Sequence, residues 1–284
     1  MAEKKRKKKK KKITLIIKRV IPVLVLIVLI ALGVFMLFRV HSFKIEGNIP
    51  YSKEEVIAAS GIKKGDSMFT LDTDAIKKSV ESQLPYADNV RISKKLPFTV
   101  VIKAKKAKQT YAVVMNKGVY AITNESTKIL EVSSVIPEGT IMVEGNIKSL
   151  NYVIGANVDF AQENGNEAIR TALTDISMAT QSSSLENIDY INVADYNNIY
   201  LIYEDRIIIK VGGADDLIQK LSLAKKSLAE ENKLSSTQYG EMDVSAVSKA
   251  VFMPKDYKDM DALVTFDENM AEVEEKILDI DNNM

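Results

Sequence analysis

Apolar positions in this chain follow three different spacings, and each spacing predicts a different kind of element. Val20 to Phe38 is a run of 19 residues without a charge. As a helix rising about 1.5 Å per residue it is roughly 28 Å long, close to the thickness of a bilayer's hydrocarbon core. Pro22 falls in the first turn, where its missing N–H costs little, and Gly33 is tolerated in membrane helices. Beyond this run the spacing tightens. Phe43 and Ile45 alternate with Lys44 and Glu46, which is strand spacing, and Gly47-Asn48 turns the chain. Ser52 with Glu55 three residues later reads as a capping box ahead of Val56-Ile57, and Gly61 ends that short helix. Asp72 caps a second helix with Ile76, Val80 and Leu84 on one side, and Pro85 stops it. Two strands follow, marked by Val90 and Ile92 and then by Phe98, Val100 and Ile102, with Lys94, Lys95 and Pro97 placed in the turn between them. The order β-α-α-β-β predicts two helices packed on one face of a three-stranded sheet.

From residue 109 the pattern is mostly that of short strands. Tyr111 to Met115, Val119 to Thr123, Lys128 to Val132, Asp189 to Val193, Ile199 to Tyr203 and Arg206 to Val211 read as strands, with Glu204-Asp205 as a hairpin turn. Two helices interrupt them. One is lined by Ile169, Leu173 and Ile176, and the other runs from about Asp215 to Glu230 with Leu217, Leu221, Ala224 and Leu228 inside. Glu46-Gly47-Asn48-Ile49 recurs as Glu144-Gly145-Asn146-Ile147, which we read as repeated turn chemistry at strand ends. The fold class expected is α+β. A basic tail (1–19) and a membrane helix (20–39) precede a β-α-α-β-β module (40–108), a mostly antiparallel sheet domain with two helices (109–254) and an acidic tail (255–284).

Charge sharpens this organisation. The net charge is +1, yet residues 1–39 carry 12 Lys and Arg against one Glu, and residues 40–284 carry 27 basic against 37 acidic residues. A nucleic-acid-binding protein concentrates its cations on the folded part. Here they precede the greasy run, so the chain is read as having no nucleic-acid partner. Lys4, Lys5, Arg6, Lys7, Lys8, Lys9, Lys10, Lys11 and Lys12, with Lys18 and Arg19, form the expected topology signal. By the positive-inside rule they hold the N-terminus in the cytoplasm and send the rest outside. A cleaved signal peptide is the competing reading, but the apolar run continues past the small-x-small triplet Ala31-Leu32-Gly33. The module over 40–108 carries 13 basic and 8 acidic residues, and a positive module beside a membrane suits anionic lipid or wall polymer.

Little catalytic chemistry is legible. Cys and Trp are absent and His41 is the sole histidine, which leaves no thiolate, zinc constellation or Ser-His pair. Ser60-x-x-Lys63 and Ser222-x-x-Lys225 match one motif of penicillin-binding enzymes, but Ser-Asp-Asn and Lys-Thr-Gly are missing. No catalytic residue, cofactor or metal is expected.

FKIEGN, GIKKGDSMFTLD and LPYADNVRISKKLPFTVVIKAKK, with GEMDVSAVSKAVFMP near the far end, resemble in their order the FtsQ/DivIB bacterial cell-division proteins of the Gram-positive type. Lys105-Lys106-Ala107 stands where that family often has Glu-Arg and a Pro. The resemblance implies that the membrane-proximal module is a POTRA domain. It also implies a non-enzymatic scaffold of the septal division machinery, binding FtsL-like and DivIC/FtsB-like single-pass partners and helping to control peptidoglycan synthesis. Septal peptidoglycan synthases, wall polymer and membrane lipid are further partners it brings into view. The alternative is a membrane-anchored peptidoglycan-modifying enzyme or a POTRA-type chaperone.

The partner site is expected at the last strands. Val251-Phe252-Met253 is the final apolar run of the sheet domain, Pro254 cannot donate to a ladder, and acidic residues follow, all of which suits a sheet edge. The resemblance points to the same strands. Val244, Val247, Val251 and Phe252 are the residues assigned to partner binding, with Phe252 as anchor. From Lys255 onward the tail holds 10 acidic and 3 basic residues. Met270, Val273 and Ile277 at helical spacing leave three roles open for it: covering the edge, extending the site, or lying solvated.

Overall fold

The computed structural model describes residues 2–116, 118–148, 152–161, 166–234, 237–268 and 270–271. The chain divides into two units, Met1–Lys106 and Ala107–Met284.

The first unit opens with α1 (Ala2–Leu37). Its stretch Arg19–Leu37 is long and apolar enough to cross a membrane, and none of it is buried in protein. The helix Lys53–Ser60 (α2) begins as the sequence dictates: the Ser52 hydroxyl accepts from the Glu55 N–H, and the Glu55 carboxylate accepts from the Ser52 N–H. Gly61 ends it in the left-handed region at φ 67°. Asp72 caps Thr73–Gln83 (α3) by accepting from the N–H groups of Asp74 and Ala75. These helices cover a sheet of β1 (Ser42–Glu46), β2 (Ala87–Lys95) and β3 (Thr99–Lys106) in the order β1-β3-β2. β1 runs parallel to β3, and β2 antiparallel to it. The strand reading is corrected at one point. Lys94 and Lys95 belong to β2, paired with Val100 and Thr99, so the turn is only Leu96-Pro97-Phe98. The core between the layers holds Val56, Ile76, Val80, Val90, Val100 and Ile102, among others.

Among its described residues the second unit is a nine-stranded sheet with two long helices and further helical turns near 257–268. Its strands are β4 (Tyr111–Asn116), β5 (Val119–Thr123), β6 (Ile129–Ser133), β7 (Ile141–Glu144), β8 (Ile188–Asn192), β9 (Ile199–Tyr203), β10 (Ile207–Gly212), β11 (Gly240–Asp243) and β12 (Val251–Pro254). The spatial order is β12-β11-β10-β9-β8-β7-β4-β5-β6. Most neighbours are antiparallel, while β10/β11, β7/β8 and β4/β7 are parallel. Parallel neighbours need a crossover, and α4 (Asn166–Ser183) and α5 (Leu217–Leu234) supply two of them.

Both faces of this sheet are covered, by different means. On one, Ile169, Leu173 and Ile176 of α4 and Leu217, Leu221, Ala224 and Leu228 of α5 pack on Val143, Ile191, Leu201 and Ile209. Tyr111 sits fully buried there, its hydroxyl donating to the Leu173 carbonyl at 2.6 Å. On the other, helical turns over 261–268 lay Leu263 and Phe266, with Met260 just before them, onto Ala112, Tyr120, Ile122, Met142, Tyr190, Ile202 and Ile208. The start of the acidic tail is therefore core on its apolar side, a role outside the three left open for it. Met270 is partly buried against the same cluster, and Val273 and Ile277 lie outside the described residues.

Candidate interaction edge

β12 ends the nine-stranded sheet. It pairs with β11 on one side, in the register Gly240↔Pro254, Glu241↔Met253, Met242↔Phe252 and Asp243↔Val251. Among the described residues no strand lies on its other side.

The register fixes which backbone groups point outward. Lys255 N–H donates to the Tyr239 carbonyl, while Gly240 N–H turns the other way, to Arg206 of the β9–β10 turn. Antiparallel pairs alternate between hydrogen-bonded and non-bonded. Val251 and Met253 therefore aim their N–H and C=O groups at β11, and Phe252 aims both of its groups away from the sheet. The neighbouring Pro254 has a carbonyl but no N–H to offer.

Side chains shape the same edge. Phe252 is half-buried and packs against the larger core. It lies directly over Gly240, where an added Cβ would stand 2.6 Å from the ring's Cζ and 2.7 Å from the Met253 carbonyl oxygen. Only glycine admits the ring at that depth. On the opposite face of the sheet, Glu241 is buried between two lysines, with Lys210 Nζ at 2.7 Å and Lys255 Nζ at 2.8 Å. Burial alone would push its carboxyl up, but the two ammonium groups outweigh that and hold it below the usual range. One carboxylate thus ties β10, β11 and the exit of β12 together. Just beyond, the Tyr257 ring meets Tyr239 edge-on at 5.6 Å, and its hydroxyl donates to Asp267 at 2.6 Å. Exposed apolar surface collects here in Tyr239, Val247, Met253 and Tyr257.

The four residues assigned to partner binding separate in space. Val251 and Phe252 are partly exposed on β12, and Val247 is exposed in the loop before it. Val244 is fully buried in the larger core, and its N–H continues the ladder to Lys210. Its side chain is not part of the edge. Glu241, Lys210, Lys255 and Tyr239 were not singled out in the sequence, because 31 residues separate Lys210 from Glu241 and no local spacing joins them. Lys4 to Lys12, Lys18 and Arg19 continue along the backbone of α1.

Ser60, of the first Ser-x-x-Lys pair, is engaged locally. The Ser60 hydroxyl donates to the Ile57 carbonyl at 2.6 Å and accepts from the Ile62 N–H, which closes the end of α2. Among the described residues, no group of three His, Cys, Asp or Glu is placed to hold a metal ion.

Residues 38–105 match the POTRA domain of FtsQ type. The chain is 28% identical over 208 residues to the cell division protein DivIB of Clostridium tetani, an alignment covering 73% of this chain and 76% of that one. It is 26% identical over 216 residues to DivIB of Clostridium botulinum, covering 76% and 81%. It is also 28% identical over 148 residues to the cell division protein FtsQ of Corynebacterium glutamicum, covering 48% and 65%.

Proposed function

Since the chain belongs to the FtsQ/DivIB family of membrane-anchored division proteins, we propose that it works as a non-enzymatic scaffold at the septum. Its large sheet domain holds single-pass partners of the FtsL and DivIC/FtsB kind and so helps to control peptidoglycan synthesis. The observation that carries this reading is the open edge at β12, where the backbone N–H and C=O of Phe252 point outward between exposed apolar side chains. An extended partner segment added there gains ladder hydrogen bonds from the backbone and specificity from the side chains beside it. Val251, Phe252 and Val247, with Met253 and Tyr239, are the contacts we assign.

Orientation belongs to the same proposal. Eleven cations precede the apolar span, so the N-terminus stays inside and the folded units lie outside.

Co-purification of the full chain with co-expressed FtsL-type and DivIC-type partners tests the reading. Expected is a complex that survives gel filtration and yields crosslinks from the partner's extracytoplasmic segment to β12. A complex whose crosslinks fall elsewhere and spare β12 overturns the edge assignment.

A further inference from the structure

The POTRA module leaves three large apolar side chains well exposed among its described residues, and all three stand at one end. Phe69 is 56% exposed, Leu96 57% and Phe98 46%. Phe69 lies in the loop between α2 and α3, and Leu96 and Phe98 lie in the β2–β3 turn. Both loops are stitched to the few residues that follow α1. Phe38 C=O accepts from Met68 N–H at 2.9 Å, and Val40 N–H donates to Asp66 C=O at 2.9 Å. The Arg39 guanidinium donates to Gly65 C=O, also at 2.9 Å, and His41 N–H donates to Phe98 C=O at the same distance. The Phe38 and Phe69 rings are 5.1 Å apart, and Phe98 meets His41 edge-on at 6.1 Å. Lys94 Nζ donates to the Leu71 carbonyl at 2.7 Å, which fastens the end of β2 to the α2–α3 loop.

No free linker therefore separates the span from the module. α1 ends at Leu37, and Val40 is already fully buried in the module's core. At no more than about 3.6 Å per residue, the module begins within roughly 11 Å of the point where the apolar helix stops. Lys63, Lys64 and Lys95 are exposed around the three apolar residues.

We infer that this end of the module is a seat for the outer membrane leaflet. Phe69, Leu96 and Phe98 enter the lipid interface, and Lys63, Lys64 and Lys95 meet anionic headgroups. The inference rests on the reading that α1 spans the bilayer. Apolar side chains backed by cations suit the boundary between headgroups and acyl chains, where ring and ammonium each find their own solvent. The seat would hold the module upright on the membrane and so set the direction in which the following chain leaves it.

The absence of Trp from the sequence supplies the test. Single-Trp versions of the full chain, Phe69→Trp, Leu96→Trp and Phe98→Trp, are reconstituted into phosphatidylcholine–phosphatidylglycerol vesicles containing brominated lipid. Ile27→Trp marks the span, and Lys105→Trp marks the far end of β3, roughly 20 Å along the strand from its start. The three seat positions should emit to the blue of Lys105→Trp and be quenched severalfold more than it. Adding Phe69→Ser and Leu96→Ser to the Phe98→Trp chain should remove most of that quenching. Seat positions that behave like Lys105→Trp while Ile27→Trp is quenched overturn the inference and leave the span intact. An unquenched Ile27→Trp overturns the span itself and the seat with it. A blue shift without quenching assigns the surface to a protein neighbour and overturns the lipid assignment, as does quenching that survives the two serines.

Discussion

The two edges of the nine-stranded sheet are finished in different ways. At the β6 edge the chain returns to cover the start of the strand: Ile129 N–H donates to Ala156 C=O, and Gly155 N–H donates to Ile129 C=O. An isolated bridge between Lys128 and Asn157 extends that cover. At the β12 edge the segment after Pro254 passes the strand by. Tyr257 turns it toward Tyr239 and Asp267, and its apolar residues go to the face of the sheet. An uncovered edge is a liability, and proteins usually blunt it. One edge here is covered at its start while the other has its strand locked in place by Glu241 and by the fit of Phe252 over Gly240. A preformed strand with no described strand beside it is a template for strand addition, and this asymmetry is the reason β12 is the side proposed for a partner.

The sharpest way to break this comparison is at Phe252. Phe252→Pro removes the outward N–H and the ring together, while Phe252→Leu keeps the N–H and much of the apolar volume. Loss of a central aromatic anchor and a ladder bond should weaken partner binding by at least about 30-fold, or about 2 kcal/mol, in Phe252→Pro, and only a few-fold in Phe252→Leu. Titration of the full chain with the partners measures this, and equal affinities for the two variants would sink the strand-addition reading. Val251→Pro is a poorer probe, because the Val251 N–H belongs to the β11 ladder and its loss loosens β12 from within.

Next in size is Gly240→Val. The new side chain meets Phe252 and the Met253 carbonyl below contact distance, so β12 must shift. Overpacking of this kind costs roughly 1–3 kcal/mol, read as a lower melting temperature, with partner binding lost alongside. A variant that melts and binds like the parent would mean that the edge strand is not held from below.

Gly155→Ala sharpens the contrast from the other side. Gly155 sits at φ 87°, a conformation a Cβ disfavours by about 1 kcal/mol. The β6 cover should loosen and stability fall by about that amount, with partner binding unchanged. Equal losses of binding from Gly155→Ala and Phe252→Pro would erase the distinction between the edges.

The smallest effect expected is electrostatic. Asp189 is pushed up to about 6, first by burial and then by the nearby Asp205. An acid whose folded pKa lies above its unfolded value binds more protons folded than unfolded between about pH 4 and 6. Stability therefore falls as pH rises through that window, the reverse of the Glu241 edge, where a depressed carboxyl loses its contribution as pH falls. Asp189→Asn should stabilise the chain at pH 7.5 by on the order of 1 kcal/mol after solvent screening, and by nothing near pH 4. Melting curves at the two pH values check this. A gain of the same size at both would exclude ionisation as its source.

Much of this was legible because it is local. Ser52, Glu55, Gly61 and Asp72 announced the POTRA helices through caps that involve neighbours within three residues. The hairpin of β9 and β10 was equally plain from Glu204-Asp205, both at positive φ. What escaped was long-range. β7 carries little strand signal, being four residues behind a Pro137-Glu138-Gly139 turn, and its place between β4 and β8 makes two parallel pairings that no local pattern encodes. Val244, Val247, Val251 and Phe252 formed one apolar set on paper. Val244 is instead drawn inward by continued pairing with β10, and Val247 falls in the loop. Glu241 looked like one acid among many until Lys210 and Lys255 were brought to it.

The packing of Met260, Leu263 and Phe266 on the sheet's second face also fixes an order of events. Synthesis proceeds from the N-terminus, so the strands that supply Ala112, Tyr120, Tyr190 and Ile202 exist well before the residues that cover them. For that interval this apolar face lacks Met260, Leu263 and Phe266, and exposed apolar surface of this kind is what makes nascent chains prone to aggregate. The turns over 261–268 therefore serve as a late step of biogenesis: a ribosome that stops at Pro254 would release the twelve described strands and still leave that face of the sheet without Leu263 and Phe266.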